Sequence, residues 1–127
     1  MHKILAASQQ DKGFTRRYEI AVKFRELAYN YYTSQKQTAF YARSIGVSEN
    51  YMNRCVKQVL GKSPKEILNE IAITQAQLML RDLTKSVSQI AYALNFQDPS
   101  YFGRAFKQIT GQTPSQYRDS IMHNLSG

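Results

Sequence analysis

The sequence predicts an all-α chain, and three observations carry that expectation. Each of the three prolines follows a good helix-capping residue, in Ser63-Pro64, Asp98-Pro99 and Thr113-Pro114, so each sits where a helix accepts proline in its first turn. Apolar residues recur at three- and four-residue spacings, and no stretch alternates strictly enough to read as a strand. A fifty-residue internal repeat then doubles one helical unit.

Taken in order, the punctuation predicts a long helix over 15–34 and shorter ones over 38–45 and 49–60. A linker helix over 64–82 and three more over 87–94, 99–110 and 115–122 follow. The apolar faces are Phe24, Leu27, Ala28 and Tyr31 on the first helix, Ile67, Ile71 and Leu78 on the fourth, and Phe102, Phe106 and Ile109 on the sixth. Three pairs have capping-box spacing: Ser63 with Glu66, Ser86 with Gln89, and Thr113 with Gln116. Gly61 and Gly111 each follow an amphipathic stretch and are read as left-handed helix ends. Residues 1–14 carry no strong pattern and read as a linker or a frayed lead-in helix.

The chain has 127 residues, 17 Lys+Arg and 9 Asp+Glu, for a formal charge of +8, so an anionic partner is expected. With Cys55 as the sole cysteine, there is neither an internal disulfide nor a cysteine-based zinc site, and a reducing compartment is the expectation. The apolar run Ile4 to Ala7 near the start is far short of the roughly 20 residues that span a bilayer, and no other run approaches that length. Cytoplasmic residence follows as the expectation, with no membrane partner. His2 and His123 are too few and too far apart for a metal site, no phosphate-binding loop or nucleophile motif is present, and neither cofactor nor enzymatic activity is expected.

Sliding the chain by fifty residues aligns Tyr51 with Tyr101, Arg54 with Arg104, Lys57 with Lys107, Gln58 with Gln108, Gly61 with Gly111 and Pro64 with Pro114. The first copy's turn is one residue shorter, so that Ala42 matches Ala91 and Ile45 matches Leu94. Each copy is a short helix with a small residue, a turn through Gly46 or Asn95, and a capped second helix. Glycine and asparagine tolerate positive φ, and alanine permits close helix approach. This is a helix-turn-helix, whose second helix enters a DNA major groove.

Helical-wheel positions separate an apolar side, Met52, Val56 and Val59, from Asn50, Asn53, Arg54 and Lys57. In the second copy Ser100, Gly103, Arg104 and Lys107 fall opposite Phe102, Phe106 and Ile109. Arginine offers a planar fork for guanine O6 and N7, asparagine matches adenine N6 and N7, and lysine suits a phosphate. Gly103 costs about 1 kcal/mol of helix propensity relative to alanine, which either close approach to DNA or tight helix packing explains. Tyr51 and Tyr101 are read as packing residues, and Cys55 as a small buried one.

Over Phe14 to Ser120 the chain resembles the AraC/XylS-type transcription regulators. The densest match is the second unit: Gln89-Ile90-Ala91, Leu94-Asn95-Phe96, Ser100-Tyr101-Phe102, Arg104-Ala105-Phe106-Lys107, Gly111 and Thr113-Pro114-Ser115-Gln116-Tyr117-Arg118. Departures are Asn95 where the family usually has glycine, Val56 where phenylalanine is usual, and Ile73, Thr74 and Gln75 where an arginine is often found. The resemblance implies two helix-turn-helix subdomains, 15–63 and 83–122, each a homeodomain-like three-helix unit, joined by the linker helix 64–82 and followed by a tail, 123–127. It implies base-edge contacts by Asn50, Asn53, Arg54, Ser100, Gly103 and Arg104; Lys57 and Lys107, as point charges on the same faces, are expected at phosphates.

Double-stranded DNA is therefore the expected partner, with RNA polymerase subunits as a further one and dimerisation expected through a separate domain. A linker helix of about 18 residues extends about 27 Å, enough to space two reading helices about one duplex turn apart. The rival class is a basic helical module binding an acidic partner of the transcription machinery; an RNA binder lacks an exposed aromatic platform. Charge favours two discrete contacts: residues 36–65 carry net +5 and 85–118 net +3, while 66–84 carry −2.

Overall fold

The structure, a computed structural model, describes residues 9–126. All regular elements among them are helices: α1 (Gln9–Tyr31), α2 (Thr38–Ile45), α3 (Glu49–Leu60), α4 (Pro64–Met79), α5 (Val87–Ala93), α6 (Pro99–Thr110) and α7 (Pro114–Ser126). No described helix is long and apolar enough to cross a membrane. The fold divides into two compact units, one running to Leu68 and the other starting at Asn69, so the boundary falls inside α4.

In the first unit α1 packs on α2 and α3, and α2 packs on α3. Its core is Ile20, Ala21, Phe24 and Ala28 from α1, Tyr41 and Ala42 from α2, and Met52, Cys55 and Val56 from α3. The near-fourfold spacing on α1 explains that helix: one stripe of its surface is fully covered. Phe24 meets Tyr41 edge-on at 5.3 Å between ring centres. Burial pushes the Tyr41 hydroxyl up to about 12, and that hydroxyl donates to the Gln35 carbonyl at 2.7 Å, anchoring the α1–α2 connection. Tyr31, expected on the buried stripe, is 41% exposed; its ring meets Phe40 edge-on at 5.3 Å.

In the second unit α6 packs against α5 and α7. Phe106 is fully buried between the rings of Phe102 and Tyr117, at 5.8 and 5.6 Å. Arg118 on α7 donates from Nε to the Leu80 carbonyl at 3.0 Å and from its terminal nitrogen to the Asp82 carbonyl at 3.2 Å, tying α7 to the end of α4.

The local chemistry follows the predicted punctuation. All three capping boxes form, with reciprocal hydrogen bonds between Ser63 and Glu66, Ser86 and Gln89, and Thr113 and Gln116. The Ser63 backbone N–H, followed by its hydroxyl, holds the Glu66 carboxyl below its usual range. Gly46 and Asn95 take φ of 88° and 64° at the two turns, a left-handed geometry open to glycine and asparagine but costly for most residues. Ala42 and Ala91 are buried as the small residues of the unit's first helix.

Several expected boundaries and faces are corrected. The first helix begins at Gln9 rather than at 15, so residues 9–14 follow the lead-in-helix reading, while 1–8 lie outside the described residues; α1 stops at Tyr31 rather than at 34. The linker helix ends at Met79 rather than at 82. Its backbone tightens there, with Arg81 N–H reaching the Leu78 carbonyl and Asp82 N–H the Met79 carbonyl. The Asp82 carboxylate then accepts from both the N–H and hydroxyl of Thr84, completing a local turn that competes with helix. The tail expected from 123 is helical to Ser126, and Gly127 lies outside the described residues.

Leu78 is 57% exposed, because α4 buries Leu68, Ala72 and Ala76 at four-residue spacing instead, a row that Leu80 continues just past the helix end. Ile109 is 41% exposed, where burial was expected. The twelve-residue α6 outruns the seven-residue α5, and its last turn has less to pack against. Ala105 takes the covered place.

Candidate nucleic-acid interface

The candidate interface consists of the outward faces of α3 and α6. Each helix is started by a side-chain cap: the Ser48 hydroxyl accepts from Tyr51 N–H at 3.1 Å, and the Asp98 carboxylate accepts from Tyr101 N–H at 2.8 Å. Each is stopped by a left-handed glycine, Gly61 or Gly111, whose N–H bonds to the carbonyl of Lys57 or Lys107. The hydroxyl of Thr38 donates to the Glu49 carboxylate, joining the starts of α2 and α3. Asp98 is thus engaged as a cap, which satisfies a helix N-terminus that otherwise attracts anions.

Burial repeats across the fifty-residue offset at every position from 50 to 58 and 100 to 108. Met52, Cys55 and Val56 are buried in α3, and Phe102, Ala105 and Phe106 in α6. On the other face Asn50, Arg54 and Lys57 are exposed, as are Ser100, Arg104 and Lys107; Asn53 and Gly103 are half-buried. Two stretches with different core chemistry therefore display the same register of outward residues. The six residues expected at base edges and the two lysines all fall on these outward faces, each within its own unit.

Three details refine the individual assignments. The side-chain oxygen of Asn53 is enclosed with no hydrogen-bond partner, so a two-point contact with adenine requires that side chain to turn, whereas Asn50 is open. A Cβ added at Gly103 would meet nothing within 4 Å, so packing among the described residues does not demand glycine there. The Arg54 guanidinium carbon lies over the Tyr51 ring, 5.6 Å from its centre.

Sequence reasoning assigned no role to Gln58. An open groove of about 440 Å³ beside α3 is lined by Asn53, Arg54, Lys57, Gln58 and Ser63, so Gln58 borders the same surface. Its recurrence as Gln108 was the available signal. Tyr101 packs as expected, with its ring 5.9 Å from Phe96 and its hydroxyl accepting from the Asn69 amide. Among the described residues, no three His, Cys, Asp or Glu side chains gather as a metal site would require.

A family model described as a helix-turn-helix domain matches residues 41–120. The uncharacterized HTH-type transcriptional regulator YisR of Bacillus subtilis (strain 168) is 37% identical over 77 residues, covering 61% of this chain and 27% of that protein. The chain thus spans about a quarter of that relative's length. Among solved structures, the C-terminal domain of AraT, a response regulator from Geobacillus stearothermophilus, is 28% identical with a TM-score of 0.73 over 80% of this chain and 84% of that one. The DNA-binding domain of the global transcriptional factor AdpA, solved in complex with a target DNA, shares the fold at 21% identity and a TM-score of 0.74, over 82% and 94% of the two chains. Matched capped helices, repeated outward faces and the family model agree: the chain belongs to the AraC-type helix-turn-helix family of DNA-binding transcription regulators.

Proposed function

We propose that α3 and α6 are both recognition helices and that one chain reads two adjacent major-groove segments of a duplex. Asn50, Asn53 and Arg54 contact base edges from the first unit, and Ser100, Gly103 and Arg104 from the second; Lys57 and Lys107 contact phosphates. The observation that carries this reading is the repeated exposure of arginine followed three residues later by lysine on the uncovered face of each capped helix. Base-edge donors lead, and a point charge suited to phosphate follows. The reading extends to RNA polymerase subunits as a second partner, to dimerisation through a separate domain, and to a cytoplasmic, nucleoid-associated location.

The test is a salt titration on duplexes selected from a random pool and on the unselected pool. Affinity should fall steeply with salt on both, about 0.9 log unit per log unit of salt for each phosphate contacted, and the selected duplex should bind about a thousandfold tighter or more. Equal affinity for selected and random DNA would favour the rival, a basic module for an acidic protein surface.

Gly103 provides a sharper check. Because an added methyl meets no protein atom, Gly103→Ala should raise thermal stability, by up to about 1 kcal/mol. If DNA approaches the helix backbone there, the same variant should bind the selected duplex more weakly. A variant that is both more stable and unimpaired in binding would remove Gly103 from the interface.

A further inference from the structure

The two recognition helices carry arginine in the same register, yet their guanidinium groups have different surroundings. Arg54 has its guanidinium over the Tyr51 ring, one helical turn back on α3. The equivalent residues in the second unit are Tyr101 and Arg104. There the tyrosine is held elsewhere, by the Asn69 amide at its hydroxyl and by the Phe96 ring at 5.9 Å. Among the described residues, the cation–π pair at Arg54 has no counterpart at Arg104. The sequence supplies a cause: with the shorter first turn, Val47 stands where the second turn has Phe96, so no aromatic side chain of that turn competes for the Tyr51 ring.

We propose that Tyr51 is a positioning residue that holds Arg54 ready to read a base, so that the first unit carries a preset arginine and the second a free one. The inference rests on the assignment of Arg54 to a base edge. A guanidinium's donors lie in its plane, so a ring against its face leaves the donor edge available to guanine. Restricting the long side chain before binding also reduces the freedom lost when the contact forms.

A double-mutant cycle on the full chain tests this, using duplexes selected by the wild-type protein and their single-base-pair variants. Arg54→Ala identifies the base pair that Arg54 discriminates. Tyr51→Leu should weaken selected-duplex binding about two- to fivefold, with the loss confined to discrimination at that base pair. Random-duplex affinity and salt slope should stay as in the wild type. Tyr51→Phe, which keeps the ring, should restore discrimination, and Tyr51→Leu should add nothing in the Arg54→Ala background.

A Tyr51→Leu loss that persists in that background, or that is equal on random DNA, would show that the ring acts through packing alone and would overturn the proposal. If Arg54→Ala changes discrimination at no base pair, the base-edge assignment itself fails, and the positioning role falls with it. Side-chain NMR of the unsubstituted chain gives an independent reading: Arg54 Nε should be more ordered than Arg104 Nε, and equal mobility would overturn the proposal without any variant needing to fold.

Discussion

Replacing Phe106 with alanine is expected to cost about 3–5 kcal/mol of stability. The side chain is fully buried, with aromatic rings on two sides, from Phe102 on its own helix and Tyr117 on α7. Truncation removes the transfer free energy of the ring and leaves a void that rigid aromatic neighbours fill poorly. The loss is comparable with the whole stability expected of a unit this small, which runs only from Asn69 onward. Amide exchange should therefore show loss of protection concentrated in α5, α6 and α7, with α1 to α3 retaining theirs. Equal loss in both units would show a single cooperative body. Because Phe106 faces away from the outward residues of α6, any loss of DNA binding should follow the unfolded fraction.

Arg104→Ala is expected to act in the opposite manner, with little change in stability and a loss of about 1–3 kcal/mol on the selected duplex, confined to one or two base pairs. Arg104 is exposed, so its removal leaves no cavity and no unpaired buried group. Lys107→Ala supplies the contrast. As a phosphate contact it should weaken selected and random duplexes alike and flatten the salt dependence by about one phosphate's share. Binding to a random-sequence pool and to single-base variants of a selected site measures both. An arginine variant that loses equally on random and selected DNA would contradict a base-edge role.

Much of the fold was legible because its determinants are local. A serine or threonine three residues before a glutamate or glutamine needs no tertiary context to form a box, and all three predicted boxes close. Gly46 and Asn95 announce left-handed turns for the same reason. The outward faces were legible through the repeat, since two copies with different cores retained the same exposed arginine and lysine.

What escaped depends on neighbours. The helical wheel gives the direction of Ile109 but not whether the packing partner extends that far. On α4 the predicted stripe holds at Ile67 but not at Leu78; the helix also buries Leu68, Ala72, Ile73 and Ala76, and its two ends belong to different units. The enclosure of the Asn53 oxygen and the partnership of Arg54 with Tyr51 depend on rotamers, which a one-dimensional pattern does not encode.

The grip of Arg118 on the carbonyls of Leu80 and Asp82 has a consequence for biosynthesis. A chain leaving the ribosome presents α1, α2 and α3 together with every residue of their core well before it presents Arg118, so the first unit can assemble while the second still lacks its last clasp. Until Arg118 emerges, the Leu80 carbonyl lacks its guanidinium donor, the Asp82 carbonyl keeps only the Lys85 N–H, and Phe106 lacks the Tyr117 ring. During that interval the nascent protein is a basic first half followed by a second half whose core residues, Phe102 and Phe106 among them, are not yet all covered. How long that interval lasts depends on how soon α7 follows, and a pause in synthesis between residues 106 and 117 would prolong it.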